Sequence, residues 1–333
     1  MTFLVFFQCW TGAGWSIRSS LHDYSSVDEE LDLLITQHQE EAVATTNPEK
    51  KPMRASLRLA FAWNEEIGQT TLVSSRQDPP FRVVRAFRSE NGSAMAHLHN
   101  VSGGLFGGDD LSLYIEVGTR AEAQLTTTGA TRVYRRDSGS SITRQHNEFT
   151  VSEYGLLEYV PDPIIPFAGS NYYQQTIVRL SANAGLFWWE ILAPGREARN
   201  EVFAFENIGM QTTISAGNEI LSFDRMKIEP QKKSVSSPAR MGPYRYCATF
   251  FVCKVGVDAH DWLTLESHLR KIAEEMPRLD ETLWGISTLK AHGLMIRCLA
   301  KQGCDATSGL FRLWDAAKFA LYGRHAIRPR KMY

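Results

Sequence analysis

Cysteine is scarce in this sequence, and its distribution shows no pairing. The 333 residues contain five cysteines at scattered positions, without a Cys-x-x-Cys pair. An odd and scattered set fits neither a disulfide framework nor a four-thiolate zinc site. The pattern is typical of a reducing compartment, so we expect a cytoplasmic protein.

Net charge and long apolar runs are also lacking. The 36 Lys and Arg and the 37 Asp and Glu leave a formal charge of −1, so no overall field would draw the protein to nucleic acid or to anionic lipid. The run Thr2-Phe-Leu-Val-Phe-Phe7 is too short to span a bilayer and lacks the basic lead and cleavage site of a signal peptide. The run Leu186-Phe-Trp-Trp-Glu-Ile-Leu192 has the length of a strand and holds a carboxylate. We therefore predict no membrane and no nucleic-acid partner.

The sequence contains none of the common hydrolase signatures. It has no Gly-x-Ser-x-Gly elbow, no His-Glu-x-x-His helix and no recognisable Cys-His pair. The glycine run Gly103-Gly-Leu-Phe-Gly-Gly108 ends in Asp109-Asp110 and enters a strand, unlike a P-loop or a dinucleotide fingerprint. We expect a tight turn there, with positive φ at several glycines. The protein is therefore predicted not to be an enzyme.

One pair of carboxylates leaves an enzymatic alternative open. Glu158 and Asp162 lie close together in the segment Tyr154 to Pro163. A β-rich carbohydrate-active enzyme could use such a pair, which requires both carboxyls to face an open cleft, about 5 to 10 Å apart. Carboxylates on a strand and its turn are more often solvated. A third alternative is a β scaffold without a metal role.

Hydrophobic periodicity divides the chain into two parts. Residues 1–52 are predicted to be an N-terminal arm and linker, with a helical and acidic pattern over 27–43. A mis-assigned start codon is the alternative explanation of this segment. From Ala55 the period is two, and it returns in many short segments separated by turn signals. Residues 53–333 are therefore predicted to form a mainly β domain, a large antiparallel body in a layered or helical arrangement.

Two helices are predicted in the C-terminal half. The first covers about 259–276, with Asp258 or Asp261 as its cap. The second covers about 307–322, with Gly323 as its C-terminal cap. Between them, 284–300 is predicted to be a strand pair that turns at His292-Gly293.

A few residues could serve a metal ion. His97 and His99 lie two apart on a predicted strand, so both imidazoles would point to one face, with Asp109 or Asp110 as a possible third ligand. Glu190 lies among Trp188, Trp189 and other apolar residues, where a carboxylate is costly to bury unless it has a partner or lines water. Asp224 has a similar strand context.

Several segments together resemble the UreD (UreH) family of urease accessory proteins. The run at 102–109 resembles that family's Gly-Gly-x-x-Gly-Gly-Asp motif, and Leu125-Thr-Thr-Thr-Gly-Ala-Thr-Arg-Val-Tyr134 resembles its next block. Leu157-Glu-Tyr-Val-Pro-Asp162 and Trp189-Glu-Ile-Leu-Ala-Pro-Gly-Arg196 follow in the family's order. Thr128 stands where proline is usual, so the chain is a divergent branch. The resemblance covers about Met53 to Tyr333.

The resemblance implies a non-catalytic scaffold and nickel conduit. Family members bind UreF, which recruits the GTPase UreG, and the complex delivers nickel to the urease apoprotein; a dimer of such complexes is one expected assembly. No cofactor would be held stably, and nickel would pass only transiently. Asp109 and Thr131 are the motif positions expected on the nickel path, with Glu190, Asp224, His97 and His99 as further candidates. The basic end, with Arg324, Arg328 and Arg330, is expected to contact UreF.

Overall fold

The period-two segments of the sequence form the strands of two facing sheets. The structure is a computed structural model that describes residues 52–329, apart from 90, 137, 138, 140, 277 and 278. Almost all of the predicted N-terminal arm, and Arg330, lie outside the described residues. Strands and helices are numbered below in their order along the chain.

The first sheet has seven strands. They are β1 (Arg54–Asn64), β2 (Gln69–Gln77), β6 (Asp110–Val117), β9 (Thr143–Val151), β12 (Asn171–Leu180), β14 (Asn207–Ala216) and β15 (Glu219–Ile228). Their spatial order is β15-β14-β12-β9-β6-β1-β2.

The second sheet has eleven strands, several of them short. They are β3 (Phe81–Arg82), β4 (Ala86–Arg88), β5 (Ala94–Asn100), β7 (Glu122–Thr127), β8 (Thr131–Val133), β10 (Leu156–Tyr159), β11 (Ile164–Pro166), β13 (Gly185–Leu192), β16 (Tyr246–Lys254), β17 (Thr282–Thr288) and β18 (Gly293–Ala300). The main path runs β17-β18-β16-β13-β10-β7-β5-β3.

The prediction of an antiparallel body is wrong for the centre of both sheets. Strands β1, β6, β9, β12 and β14 pair in parallel, as do β5, β7, β10 and β13. Between β5 and β14 the chain passes back and forth between the two sheets. A parallel pair needs a long crossover, and here strands of the opposite sheet supply it in place of a helix. The pairs toward the ends of the sheets are antiparallel.

Two helices cover the outer face of the second sheet. Helix α1 (Ala259–Glu274) begins at Asp258, although the Asp258 side chain makes no capping hydrogen bond. Helix α2 (Gly303–Tyr322) begins four residues earlier than predicted and ends at Gly323, whose φ of 66° confirms the predicted left-handed cap. Among the described residues, no helix is both long and apolar enough to cross a membrane.

The core has two layers, one on each face of the second sheet. Between the sheets, Leu57, Leu113 and Phe149 of the first sheet pack with Trp188 and Phe251 of the second. Between the second sheet and the helices, the packed residues include Trp189, Phe250, Leu269, Leu313 and Trp314. Alternate residues of β13 therefore enter different layers, which explains why its sequence is apolar almost throughout.

Candidate functional site

A row of polar side chains crosses the inner face of the first sheet. Asn147, Thr176, Thr212 and Asp224 are register partners on the adjacent strands β9, β12, β14 and β15. The first three side chains are buried, and Asp224 is partly exposed at the sheet's edge. Since neighbouring register positions share a face, the sheet carries a continuous polar line through an otherwise apolar core.

A second polar row faces the first from the other sheet. Glu190, Thr249 and Arg297 are register partners on β13, β16 and β18. The positions before and after them on the same face, such as Trp188 and Phe251, belong to the core between the sheets. Polar residues of both sheets therefore meet in one layer.

Hydrogen bonds join the two rows. Gln174 Nε2 and Thr212 Oγ1 both donate to the Glu190 carboxylate, the second over 3.4 Å. At the sheet's edge, Arg297 donates to Asp224. We call these polar residues, which are joined by hydrogen bonds or by strand register, the inter-sheet band. It comprises Gln145, Asn147, Tyr172, Gln174, Thr176, Glu190, Thr212, Asp224, Thr249 and Arg297.

The buried end of the inter-sheet band consists of amides and hydroxyls. Gln174 Nε2 donates to Thr176 Oγ1 over 3.3 Å, and Asn147 Nδ2 donates to the same oxygen over 3.2 Å. The Tyr172 hydroxyl lies 2.8 Å from Gln174 Oε1 and 3.2 Å from Gln145 Oε1. Buried polar groups are stable when they satisfy one another in this way. The result is a hydrogen-bonded network of neutral side chains that joins one carboxylate, that of Glu190.

Glu190 is partly buried, and apart from Asp224 it is the only acidic side chain of the inter-sheet band. Burial raises the pKa of Glu190 to about 7, and the nearby negative charge of Asp224 adds to the shift. The hydrogen bonds from Gln174 and Thr212 oppose it. No cation within the described ranges pairs with Glu190. Its carboxyl group therefore changes charge near neutral pH.

The outer end of the band is an ion pair. Asp224 and Arg297 pair between β15 and β18, with side chains that are 18% and 30% exposed. Cys247 faces the same layer, and burial raises the pKa of its thiol to about 11. A thiol that stays protonated is a poor metal ligand.

Asp109 and Thr131, the two motif positions, lie outside the inter-sheet band. Asp109 is buried in the glycine-rich loop, where its carboxylate accepts a hydrogen bond from the Phe106 N–H over 2.8 Å. Burial raises the pKa of Asp109, and the backbone hydrogen bonds from Phe106 and Met53 oppose that shift. Thr131 begins β8 and donates its N–H to the Pro163 carbonyl. No hydrogen bond among the described residues links either side chain to Glu190 or Asp224.

The glycine-rich loop has the predicted positive φ values. Gly103 and Gly108 have φ of 83° and 86°. At Gly104 a Cβ atom would lie 2.5 Å from the Arg132 carbonyl oxygen. The loop therefore packs directly against β8, and Asp109 fixes its shape from inside.

The predicted histidine pair lies on β5. His97 and His99 are both partly buried, and the pKa of His99 is lowered by burial and by the neighbouring His97. Within the part of the chain that the structure describes, no group of three or more His, Cys, Asp or Glu side chains could hold a metal ion. The fold therefore does not bring a third ligand of these types, such as Asp109, to the pair.

The carboxylate pair of the enzymatic alternative does not face a common cleft. Glu158 is 3% exposed and lies in the helix-facing layer, where Lys318 Nζ and Trp314 Nε1 donate to it over 2.7 and 2.9 Å. Burial raises the pKa of Glu158, and the Lys318 ammonium opposes that shift. Asp162 is bonded to Thr127 instead. The prediction that both carboxyls face one cleft is therefore wrong for Glu158.

The basic end of the chain is folded onto the body as far as the structure describes it. Arg324 forms an ion pair with Glu122 of β7, and Gln124 donates to the Ile327 carbonyl over 2.7 Å. The guanidinium group of Arg328 lies 4.8 Å from the Phe311 ring centroid, beside a groove between α1 and α2. Arg324 thus has an internal partner, whereas Arg328 is exposed.

The sequence predictions missed most of the inter-sheet band. Glu190 and Asp224 were singled out, but the amides and hydroxyls that connect them were not. The signal was present in β12, where Gln174 and Thr176 lie between Tyr172 and Val178 on the strand's buried face. A polar residue at a core-facing position of an alternating strand marks such a layer.

The fold and the band define a class of protein, namely a two-sheet β protein with a continuous polar layer between its sheets. A family profile described as UreD urease accessory protein matches residues 53–333. The chain therefore belongs to the UreD urease accessory protein family, as its motifs indicated.

Individual relatives agree with this assignment. The urease accessory protein UreD of Herpetosiphon aurantiacus is 43% identical over 281 residues, which cover 84% of this chain and 97% of the relative. The protein of the same name from Pseudomonas paraeruginosa is 30% identical over 278 residues, 83% of this chain and 93% of the relative. The urease accessory protein UreD of Bacillus sp. strain TB-90 is 25% identical over 265 residues, which cover 79% of this chain and 94% of the relative.

Proposed function

We propose that this protein acts in the cytoplasm as a non-catalytic subunit of the machinery that inserts nickel into urease. It would bind UreF, and through UreF the GTPase UreG, and deliver the ion to the urease apoprotein. Membership of a family of urease accessory proteins supports the role in urease maturation. The inter-sheet band supports the more specific role in moving the ion.

The observation that carries the proposal is the continuity of the band between the sheets. It runs from the partly exposed pair of Asp224 and Arg297 to Glu190, and on to buried hydroxyls and amides. A buried polar layer adds less stability than an apolar core of the same volume. Its presence in a core that is otherwise packed with aliphatic and aromatic residues therefore needs another reason, and passage of a cation is one.

The chemistry of the band suits transient binding of Ni²⁺. Carboxylate, hydroxyl and amide oxygens bind a borderline cation more weakly than imidazole or thiolate, so the ion can move on. Glu190 has no cation partner among the described residues, so its charge is available to a passing ion. Because metal ligation requires the deprotonated carboxyl, binding at Glu190 would release a proton near neutral pH.

A gene deletion in a urease-positive host tests the role in maturation. We expect the deletion strain to produce urease protein with little nickel and little activity, and a plasmid copy of the wild-type gene to restore both. Nickel per urease active site is measured by mass spectrometry on the purified enzyme. Normal nickel loading in the deletion strain would contradict the proposal.

Asp109→Ala tests whether the ion's path runs through the inter-sheet band or through the motif loop. Asp109 shapes the glycine-rich loop and lies outside the inter-sheet band, so we expect this variant to disturb partner contacts more than ion passage. Capture of UreF on the immobilised variant measures the partner contacts, and the nickel content of urease measures ion passage. A variant that captures UreF as well as the wild type yet fails to load nickel would move the path from the band to the motif loop.

A further inference from the structure

The connection between β15 and β16 packs onto the layer between the two sheets. Strand β15 ends at Ile228 and β16 begins at Tyr246, and we call residues 229–244 the strap. Two side chains of the strap, Val235 and Met241, are buried in the core between the sheets. Tyr244 is partly buried against the same core. Apolar side chains therefore hold the strap to the body of the protein.

The backbone hydrogen bonds of the strap are local. The Lys232 N–H donates to the Glu229 carbonyl over 3.1 Å, and the Met241 N–H donates to the Val235 carbonyl over 3.2 Å. Among the described residues, no backbone hydrogen bond joins residues 230–244 to a strand or a helix. A segment that is bonded only to itself can open without breaking the bonds of the sheets, and such openings cost less free energy than global unfolding.

Both ends of the strap are fixed. The Glu229 carboxylate accepts a hydrogen bond from Lys232 Nζ over 2.8 Å and lies 3.3 Å from Lys227 Nζ of β15. Directly after the strap, the Arg245 N–H donates to the Ala300 carbonyl of β18 over 2.9 Å. An opening motion is therefore confined to the middle of the strap, which carries Val235 and Met241.

The packing beneath the strap is incomplete. A cavity of about 40 Å³ lies between the strap and the two sheets. Its apolar lining includes Val235, Met241, Met226, Ile228, Cys247 and Leu299. Side chains beside a void lack contact partners on that side and lose part of their dispersion energy. The two buried side chains therefore hold the strap less firmly than a fully packed core would.

The outer end of the inter-sheet band lies beside this cavity. Arg297, which pairs with Asp224, lines the cavity together with Val235 and Met241 of the strap. Cys247, on the neighbouring strand β16, lines it too. The strap therefore limits solvent access to this end of the band.

We propose that the strap is a lid that opens over the outer end of the inter-sheet band. When Val235 and Met241 leave the core, Cys247 and Arg297 become more accessible while both sheets keep their hydrogen bonds. Control of ion entry by this lid rests on the proposed function of the band, whereas the opening itself does not.

Alkylation of the cysteines in the metal-free, full-length protein tests the lid, with each site followed by peptide mass spectrometry. Cys247 and Cys253 both lie on β16 and pack in the inter-sheet core, but of the two only Cys247 lines the cavity beneath the strap. Val235→Ala should accelerate alkylation of Cys247 by about tenfold and leave Cys253 unchanged, since it removes buried methyl groups that hold the strap closed. Val235→Ile should slow the reaction of Cys247 by about threefold, since the added methyl group can fill the cavity. Ser236→Ala, at an exposed neighbour on the strap, should change neither rate.

Any of three results would overturn the lid. If Cys247 of the wild type reacts as fast as the exposed Cys304, the strap does not cover it. If Val235→Ala accelerates Cys247 and Cys253 equally, the whole layer loosens and the strap does not open separately. If neither Val235 variant changes the rate at Cys247, the strap does not control access. None of these results depends on nickel, so the lid and the proposed function fail separately.

Discussion

The two core layers of this molecule treat a carboxylate in opposite ways, since Glu158 is buried and Glu190 is partly buried. In the helix-facing layer, Glu158 is paired with Lys318 and bonded to Trp314, and all three side chains are fully buried or nearly so. In the inter-sheet layer, the hydrogen bonds that Glu190 receives from the described residues come from the neutral Gln174 and Thr212. The Lys318 ammonium neutralises the charge of Glu158. No cationic side chain among the described residues neutralises the charge of Glu190.

This difference indicates which polar groups of the core are candidates for a functional role. The buried ion pair of Glu158 and Lys318, which we call a closed pair, fixes the position of α2 on the second sheet. Its charges balance each other, so it needs no further ion or ligand. The inter-sheet band continues from strand to strand and ends at a partly exposed ion pair. Two features distinguish the inter-sheet band as the candidate conduit. The band continues from strand to strand, and the charge of Glu190 has no cationic partner among the described residues.

Removal of the buried ammonium should give the largest effect on stability. Lys318→Met leaves Glu158 buried without its counter-charge, so we expect the free energy of unfolding to fall by about 3 to 5 kcal/mol. Urea denaturation measures the change. The double variant E158Q/K318M should recover most of the loss, because the amide oxygen that E158Q introduces can still accept from Trp314. A loss below about 1 kcal/mol, or no recovery, would contradict the closed-pair account.

Glu190 should give a smaller and pH-dependent effect. Its pKa is raised from an ordinary 4.5 to about 7, so the stability that the protonated carboxyl supplies is fully present below about pH 4.5. That stability is lost as the pH rises to about 7, and the loss amounts to ~3 kcal/mol. We expect the Glu190→Gln variant to lack this pH-dependent loss of stability.

The matched control for this prediction is Glu116→Gln, on the outer face of the first sheet. Unfolding free energies of wild type, E190Q and E116Q are compared at pH 5 and pH 8. We expect the wild type to lose stability relative to E190Q over this range, and to change in parallel with E116Q. A parallel change of wild type and E190Q would mean that Glu190 is ionised throughout, which contradicts its description as an uncompensated carboxyl.

The ion pair at the band's outer end should give the smallest effect. Asp224 and Arg297 are both partly exposed, so a double-mutant cycle with D224N and R297Q should yield a coupling energy of about 1 kcal/mol or less. Chemical denaturation of the four proteins measures it. A coupling energy above about 3 kcal/mol would show a sealed pair like that of Glu158, and would remove the contrast between the two layers.

Several parts of the fold could be predicted because local sequence determines them. The apolar stripe of α2 and its cap at Gly323, the strand pair around His292-Gly293 and the positive φ of the glycine-rich loop all follow from short-range patterns. Strand direction does not follow in this way. Alternation in β6 or β12 identifies a strand with one buried face, but it says nothing about which strand lies beside it.

The inter-sheet band could be predicted only in fragments, for a related reason. Glu190 and Asp224 stood out because a carboxylate in an apolar strand is unusual. Their connection depends on the register of Thr176 with Thr212, and on the pairing of strands that are far apart in sequence. Conversely, Asp109 was assigned to the nickel path from its motif, whereas its contacts show a role in holding the loop.

The nickel content of urease made with an altered band tests the central claim most directly. The band variant T176V/T212V/E190Q keeps side-chain size while removing oxygen ligands from the inter-sheet layer. The control T150V/T213V/E116Q makes the same replacements on the outer face of the first sheet. Both are expressed in the deletion host, and their folding and UreF capture are checked first. We predict that urease from the band variant lacks most of its nickel while the control loads normally; equal loading by the two would contradict the account.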